Sequence, residues 1–340
     1  MKLTSLDELE DNLSAPNDSV VKTLSDVGGD VLVLGAGGKM GPSLSRMALR
    51  AIRQAGSDQR VFAVSRFSDG KAAQQLEEWG IETISGDLLD PDFISSLPDA
   101  PNVIYMAGKK FGTAGAEHLT WATNAYLPSL VCGRFCDSRI VAFSTGNVYP
   151  QMPIEGPGAN EEDRPNPIGE YGMSCLGRER MFEYFSRKYQ IPSAIIRLNY
   201  ATELRYGVLV DLAEKVFRGE DISLTIGCFN VIWQADANAI ALCSLMKTDV
   251  PPFVVNVTGP VLLNTKDVAM KLGKLMGKDV RFSGKQSPTA LHSSVEMASS
   301  FYKAPLVEVD EMLAATSDWI MNGRESLGKP THFEVADGKY

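Results

Sequence analysis

The stretch GEYGMSCLGRER, residues 169–180, puts Tyr171 on the first turn of a predicted helix and Cys175 four residues later on the same face. A tyrosine so placed is a candidate acid/base. A free phenol titrates near 10, so only about one in a thousand is ionised at pH 7. A cation one turn away would lower that pKa by about 1–3 units, whereas a thiol cannot and a thiolate would raise it. A second chemical feature is LGAGGKMG, residues 34–41, between an apolar run and an amphipathic stretch. Gly35, Gly38 and Gly41 have the spacing GxxGxxG, with Gly37 extra, and Lys39 and Met40 complete the turn. Such glycines permit a tight turn, let the backbone approach a pyrophosphate, and aim a helix N-terminus at the anion. The following apolar run ends in Ser65 and Arg66, where a carboxylate would bond the ribose hydroxyls of NAD. Arginine there pairs with a 2′-phosphate, which favours NADP over NAD; its bland alternative is stacking on adenine or facing solvent. Asp87 and Leu88, in GDLLDP, stand where they could flank the adenine, and a capping aspartate explains the pattern equally well.

These groups need a scaffold, and the apolar runs supply one. Residues 30–35, 61–65, 81–85, 102–108, 139–144 and 193–198 are short and continuously apolar. Helical patterns at 39–55, 71–79, 117–136 and 171–189 lie between most of them. Continuous apolar strands are covered on both faces, which predicts a doubly wound α/β fold with a parallel sheet (Rossmann) and ligands beyond the strands' carboxyl ends. After about residue 200 the pattern changes to helix at 205–219, 236–247, 265–277 (capped by its threonine) and 309–321, with extended pieces at 222–234 and 253–257. The expected organisation is an N-terminal helical arm over 1–27, packing on its own chain or on a neighbour. The dinucleotide-binding domain covers 28–200 and is rejoined by 228–250. A smaller C-terminal α/β substrate lobe covers 201–227 and 251–330, and 331–340 form a tail. Residues 150–169, rich in proline and glycine, read as an active-site loop.

The bulk numbers narrow the class. A net charge of −9 over 340 residues argues against nucleic-acid and anionic-membrane partners. No apolar run approaches the roughly 18 residues of a spanning helix. An acidic N-terminus without the order of a signal peptide, and five cysteines with no CxxC pair, point to a cytoplasmic protein. Three scattered histidines offer no metal site.

In this order the motifs resemble those of the extended short-chain dehydrogenase/reductases, the NAD-dependent epimerase/dehydratase group, over about residues 30–325. GAGGKMG is similar to that group's GxxGxxG. VIYMAG resembles the strand beneath the nicotinamide, which brings Met106, Ala107 and Gly108 to the cofactor. Asn124 in TNAYLPSL stands at the family's helix asparagine. FSTGNVYP resembles S-[ST]-x-x-V-Y-G and puts Thr145 at the substrate hydroxyl, with Tyr171 at the catalytic tyrosine. QADANAIA (234–241) is similar to V-D-D-V-A, with Asp236 at the retained acid. AGKKFG (107–112) is similar to AGLKAVG of UDP-galactose 4-epimerases, which implies Lys110 near nicotinamide and substrate.

The resemblance implies oxidation of a sugar hydroxyl by hydride transfer to a nicotinamide, and a homodimer through the helices at 117–136 and 172–189. Three departures qualify it. The family's YxxxK is here Tyr171-Gly-Met-Ser-Cys175, so the position that grips the nicotinamide ribose carries a thiol, and Lys110 is the candidate replacement cation. Gly146 and Asn147 stand where dehydratases carry Asp-Glu, which argues against dehydration. LNYATELRYG (198–207) replaces N-x-Y-G-P. Asn147, Asn199, Arg205, Trp233 and Gln234 are the candidate substrate contacts; a surface fate for Arg205 and a core fate for Trp233 stay open. Glu179 with Arg178 and Arg180 is expected to make surface or interface pairs. Two functions remain: an NAD(P)-dependent epimerase or dehydrogenase acting on a sugar, sugar acid or nucleotide sugar, or a catalytically degenerate NAD(P)-binding sensor or scaffold.

Overall fold

The computed structural model describes residues 1–68, 70–110, 115–329, 331 and 333. Seven strands form one parallel sheet: β1 (Val31–Leu34), β2 (Val61–Ser65), β3 (Glu82–Ser85), β4 (Asn102–Tyr105), β5 (Arg139–Thr145), β6 (Ser193–Leu198) and β7 (Phe253–Val257). Their order is β7-β6-β5-β4-β1-β2-β3, with the strand order reversing at β1. The reversal opens a crevice at the carboxyl end of β1 because crossovers to either side leave on opposite faces. Side chains alternate across the sheet. Val31 and Val33 enter one core, with Val61, Ala63 and Ile104. Leu32 and Leu34 enter the other, with Phe62, Val64 and Val103. Both faces are buried over β1, β2, β4, β5 and β6, which is why those sequences read as apolar runs, whereas edge strand β3 is exposed or half-buried throughout.

The helices cover those faces. The arm forms α1 (Leu6–Leu13) and α2 (Asp18–Val27), capped by the side chains of Ser5 and Asn17. It packs on its own chain. Val20 and Leu24 of α2 join the first sheet core, whereas Leu9 and Leu13 of α1 join the core of the second lobe. Then come α3 (Gly41–Gln54), α4 (Lys71–Glu78), α5 (Pro91–Ser96), α6 (Glu117–Trp121), α7 (Leu127–Arg134) and α8 (Gly169–Tyr189). The expected helix at 117–136 is interrupted: residues Ala122–Tyr126 form a π-helical segment between α6 and α7.

The second lobe gathers α9 (Val208–Arg218), α11 (Thr265–Met276) and α13 (Val309–Met321) around Leu212, Leu272, Trp233 and Trp319. Between them α10 (Gln234–Cys243) returns to the sheet, and α12 (Glu296–Phe301) packs beside β7. Three expectations change here. Residues 253–257 were expected in the lobe, and they instead extend the main sheet by pairing with β6 from Phe253↔Ala194 to Val257↔Leu198. Their short apolar run, FVVNV, fits a sheet edge and a lobe strand equally well, so only the partner decides. The cap of α11 is Asn264, whose Oδ1 accepts from the N–H groups of Lys266 and Asp267, while Thr265 donates to the Ile226 carbonyl at 2.6 Å. The loop at 150–169 does not line the clefts described below. Met152–Pro153 pairs with Thr289–Ala290, and Glu161 Oε1 accepts from Asn256 N at 2.7 Å, fastening the loop to the lobe and to β7.

Candidate active site

The turn after β1 is shaped by its glycines. Gly35 has φ +88°, and a Cβ there would lie 2.6 Å from the Ala107 nitrogen. A Cβ on Gly41 would lie 2.2 Å from the Ala36 carbonyl oxygen, so only glycine lets α3 start against the turn. Two continuous clefts meet at this turn and share Gly35, Gly38, Met106 and Gly108.

The cleft over β2 and β3 is lined by Gly37, Ser65, Arg66, Asp87, Leu88 and Ala107 in addition to the shared residues. Gly37 is bare toward it: a Cβ there would meet the Ser65 Oγ at 2.7 Å. Asp87 also closes its own turn, its Oδ1 accepting from Leu89 N at 2.9 Å. Phe67, which lines this cleft, has φ +43°. The groove thus fits a dinucleotide's adenosine half: a side-chain-free floor, a hydroxyl and a guanidinium at the strand end, and apolar walls.

The other cleft, of about 360 Å³, lies between the sheet and the second lobe. It is lined by Lys39, Met40, Lys110, Thr145, Asn147, Tyr171, Asn199 and Gln234, all candidate site residues from sequence, by Phe143, Tyr200 and Tyr206, which the sequence did not point to, and by Arg178, expected instead in a surface or interface pair. Thr145 ends β5, and its Oγ1 accepts from Asn147 N at 3.2 Å. The Tyr171 hydroxyl is hydrogen-bonded to Thr145 and to Cys175. Burial, and then the Cys175 sulfur, push the phenol well above its usual value of 10; Arg178 and the Thr145 bond pull the other way. Lys110 Nζ sits 5.8 Å from the Tyr171 ring centroid, and burial draws its ammonium down to about 8. Lys39 lies over the Tyr206 ring at 3.1 Å. Burial first, and then the charge of Lys110, draw it down to about 7. Two ammoniums face a cleft too dry to hold both comfortably charged, a setting that favours an anionic ligand.

Asn124 lines neither cleft. It sits in the π-helical segment, where its Nδ2 donates to the Lys109 carbonyl and Ser174 Oγ, both at 2.9 Å, and its Oδ1 accepts from Lys109 N and Arg178 Nη2. It pins the loop carrying Lys110 to α8. The helix widens by one residue there, as π segments at functional sites often do. Cys175 is fully buried beneath Tyr171.

Two candidate substrate contacts lie elsewhere. Arg205 pairs with Glu10 of α1 at 2.7 Å and with Glu203 at 3.0 Å, its charge already matched. Trp233 is 1% exposed in the lobe core, and its indole N–H donates to Asn12 Oδ1 at 3.0 Å. Gln234 and Asn199 line the cleft but are tied down, Gln234 to Ser43 Oγ and Asn199 to Asn230 Oδ1 and the Leu291 carbonyl. Asp236 is turned away: its Oδ2 accepts from Val307 N at 2.8 Å, and burial lifts its carboxyl to about 6.

The expected surface pairs of Arg178 and Glu179 are overturned. Glu179 is buried and holds Arg197 of β6 at 2.8 Å, while Ser144 donates to it at 2.6 Å. Arg178 is 5% exposed. A helical signal for this existed. Tyr171, Ser174, Cys175, Arg178 and Phe182 fall at i, i+3, i+4, i+7 and i+11, one face of α8.

The family model for the NAD dependent epimerase/dehydratase family matches residues 31–202. No curated protein sequence matches the chain. Among solved structures, UDP-glucuronic acid 4-epimerase from Bacillus cereus in complex with NAD superposes with a TM-score of 0.71 at 18% identity, covering 86% of this chain and 96% of that one. UDP-glucose 4-epimerase from Thermotoga maritima with UDP-glucose gives 0.68 at 18%, covering 86% and 99%. The dTDP-glucose 4,6-dehydratase DesIV from Streptomyces venezuelae with NAD gives 0.70 at 16%, covering 86% and 97%. At such identities the likeness is one of fold.

Proposed function

The chain belongs to the NAD dependent epimerase/dehydratase family, and from that premise we propose that it is an NAD(P)-dependent epimerase or dehydrogenase acting on a carbohydrate at a hydroxyl-bearing carbon. The observation that carries the reading is the Tyr171–Thr145 hydroxyl pair on the cleft wall, at the end of β5 and two strands across the sheet from the glycine turn. In this reading Thr145 holds the substrate hydroxyl and Tyr171 removes its proton, returning one in the reverse direction. A bound nicotinamide supplies the hydride acceptor and donor. Gly35, Gly37, Gly38 and Gly41 hold the pyrophosphate by backbone, and Ser65, Arg66, Asp87 and Leu88 surround the adenosine. Arg66 favours NADP over NAD. The neighbours bound to nucleotide sugars, with Lys39 and Lys110 in the cleft, support an anionic sugar: a sugar acid or a nucleotide sugar. Gly146 and Asn147 present no carboxyl group beside Thr145, which disfavours dehydration. A homodimer and a cytoplasmic location complete the reading.

The second reading, a cofactor-binding sensor or scaffold without turnover, is favoured by one observation: the Tyr171 phenol lies far from ionisation, with a thiol where the family has lysine. The two separate in one assay. Wild-type protein is titrated with NADPH and NADH by fluorescence, then incubated with oxidised or reduced cofactor and a panel of sugars, sugar acids and nucleotide sugars. The enzyme reading expects tighter NADPH binding and turnover that falls at least about 100-fold in Tyr171→Phe. Cofactor binding with no Tyr171-dependent turnover across the panel leaves the sensor reading standing.

A further inference from the structure

Arg178 is a buried guanidinium whose hydrogen-bond partners among the described residues are all neutral: the Phe143 carbonyl at 2.7 Å, Asn124 Oδ1 at 2.7 Å and the Asn124 carbonyl at 3.4 Å. Among the described residues no carboxylate pairs with it, because Glu179 beside it is committed to Arg197. An arginine does not lose its proton in a protein, so a full positive charge stands in a dry site facing the cleft. Leaving a buried cation without an ion-pair partner is costly and calls for a role. We propose that Arg178 is the electrostatic positioning residue of Tyr171, supplying from one turn farther along α8 the charge that position 175 lacks. The inference rests on the enzyme reading of this cleft.

The groups that face Arg178 fit this role. Tyr171 and Cys175 lie on its own helix, Tyr105 on β4 has its ring centroid 5.6 Å away, and Asn124 comes from the π-helical segment. The guanidinium lowers the pKa of both Tyr171 and Cys175, and for Tyr171 it is the largest influence in that direction. Lys110, the alternative cation, is drawn down to about 8 and loses its charge over the range where a tyrosinate is needed. Arg178 keeps its charge throughout. The thiol at 175 is also the smaller occupant: a lysine there would bring a second ammonium against a guanidinium in a buried space.

The test is a double-mutant cycle of Cys175→Lys and Arg178→Met, with Arg178→Lys as the charge-keeping control. Thermal stability reads it without turnover. Cys175→Lys is expected to lower the Tm strongly when Arg178 is present and much less in Arg178→Met; additive changes overturn the proposal. The pH profile of turnover reads it through the chemistry. Arg178→Met is expected to move the midpoint of the Tyr171-dependent limb up by about one unit or more, Arg178→Lys to leave it in place, and the double variant to bring it back. An unmoved midpoint in Arg178→Met overturns the proposal. If Arg178→Met does not fold, Arg178→Lys decides: a retained midpoint supports the role, and a shift of a unit overturns it. Absence of turnover in every variant ends the enzyme reading, and with it the positioning role, whereas a coupled stability cycle still establishes the charge at the site.

Discussion

At the scale of single residues, the inner cleft is governed by charge and burial. Lys39 titrates at about 7 in the folded protein against roughly 10.4 in an unfolded chain. Between those values the unfolded state binds more protons, so stability rises with pH there. The penalty is full below about 7 and is relieved as the pH rises toward 10. Lys39→Met is therefore expected to raise the Tm by about 2–5 °C at pH 6 and to match wild type near pH 10.5, checked by thermal melts across pH. An anion bound beside Lys39 holds its proton on. Binding of NADPH or an anionic sugar should tighten as the pH falls through 8 to 7 in wild type, and Lys39→Met should lose that slope. A flat wild-type profile would remove Lys39 from the binding site. Tyr200, lining the same cleft, has φ +46°. Positive φ in a bulky residue costs of order 1–3 kcal/mol and persists where surrounding structure overrides it.

At the scale of elements, α8 is fixed by a buried polar network. Glu179 Oε2 meets Arg197 at 2.8 Å, Arg197 Nη1 donates to the Tyr149 hydroxyl at 2.6 Å, and Tyr149 donates to Asn256 Oδ1 at 2.9 Å. One helix, β6, β7 and the turn after β5 are thereby locked in one register behind Tyr171. Removing one partner leaves the other charge buried and uncompensated, at a cost of about 3–5 kcal/mol. Glu179→Gln is expected to lose stability of that order in urea melts and to lower Tyr171-dependent turnover through misplacement of α8. Replacing both ends, Glu179→Met with Arg197→Met, should cost less than Glu179→Gln alone. A double variant worse than the single would show that the pair stabilises beyond mutual compensation.

At the scale of the whole molecule, the N-terminal arm and the exposed helices make different connections. The arm joins the two lobes within one chain: α2 lies in the sheet core, α1 in the lobe core, and Glu10 meets Arg205 between them. The packed pair of α8 with α6–α7, in contrast, turns large apolar side chains to solvent, Tyr126 and Tyr184 at 53% and 54% exposure and Leu119 at 46%. Apolar surface of this size on two adjacent helices suits a self-association face. Sedimentation at micromolar concentration is expected to give a dimer, and Tyr126→Glu with Tyr184→Glu to give a folded monomer. A wild-type monomer at all concentrations would remove the dimer from the proposal.

The local parts of this protein were written in its sequence. The glycine turn was legible because steric exclusion at Gly35 and Gly41 leaves no other residue possible, and the parallel sheet because strands buried on both faces carry unbroken apolar runs. Tyr171, Thr145 and Lys110, singled out by type and place along the chain, come together on the wall of one cleft. Apart from the cap of α11 and the π-helical interruption at Ala122–Tyr126, which are local, the assignments that tertiary structure changed concern partners distant in sequence. Phe253–Val257 became a sheet strand only by meeting β6. Arg205 and Trp233 were withdrawn from the substrate site by Glu10 and Asn12 of the arm. Arg178 shares a helical face with Tyr171, which the sequence spacing states. Whether that face meets solvent or the buried wall of a cleft depends on Asn124 and Phe143, brought there by other elements. Spacing determines which side chains point the same way; packing alone decides what they point at.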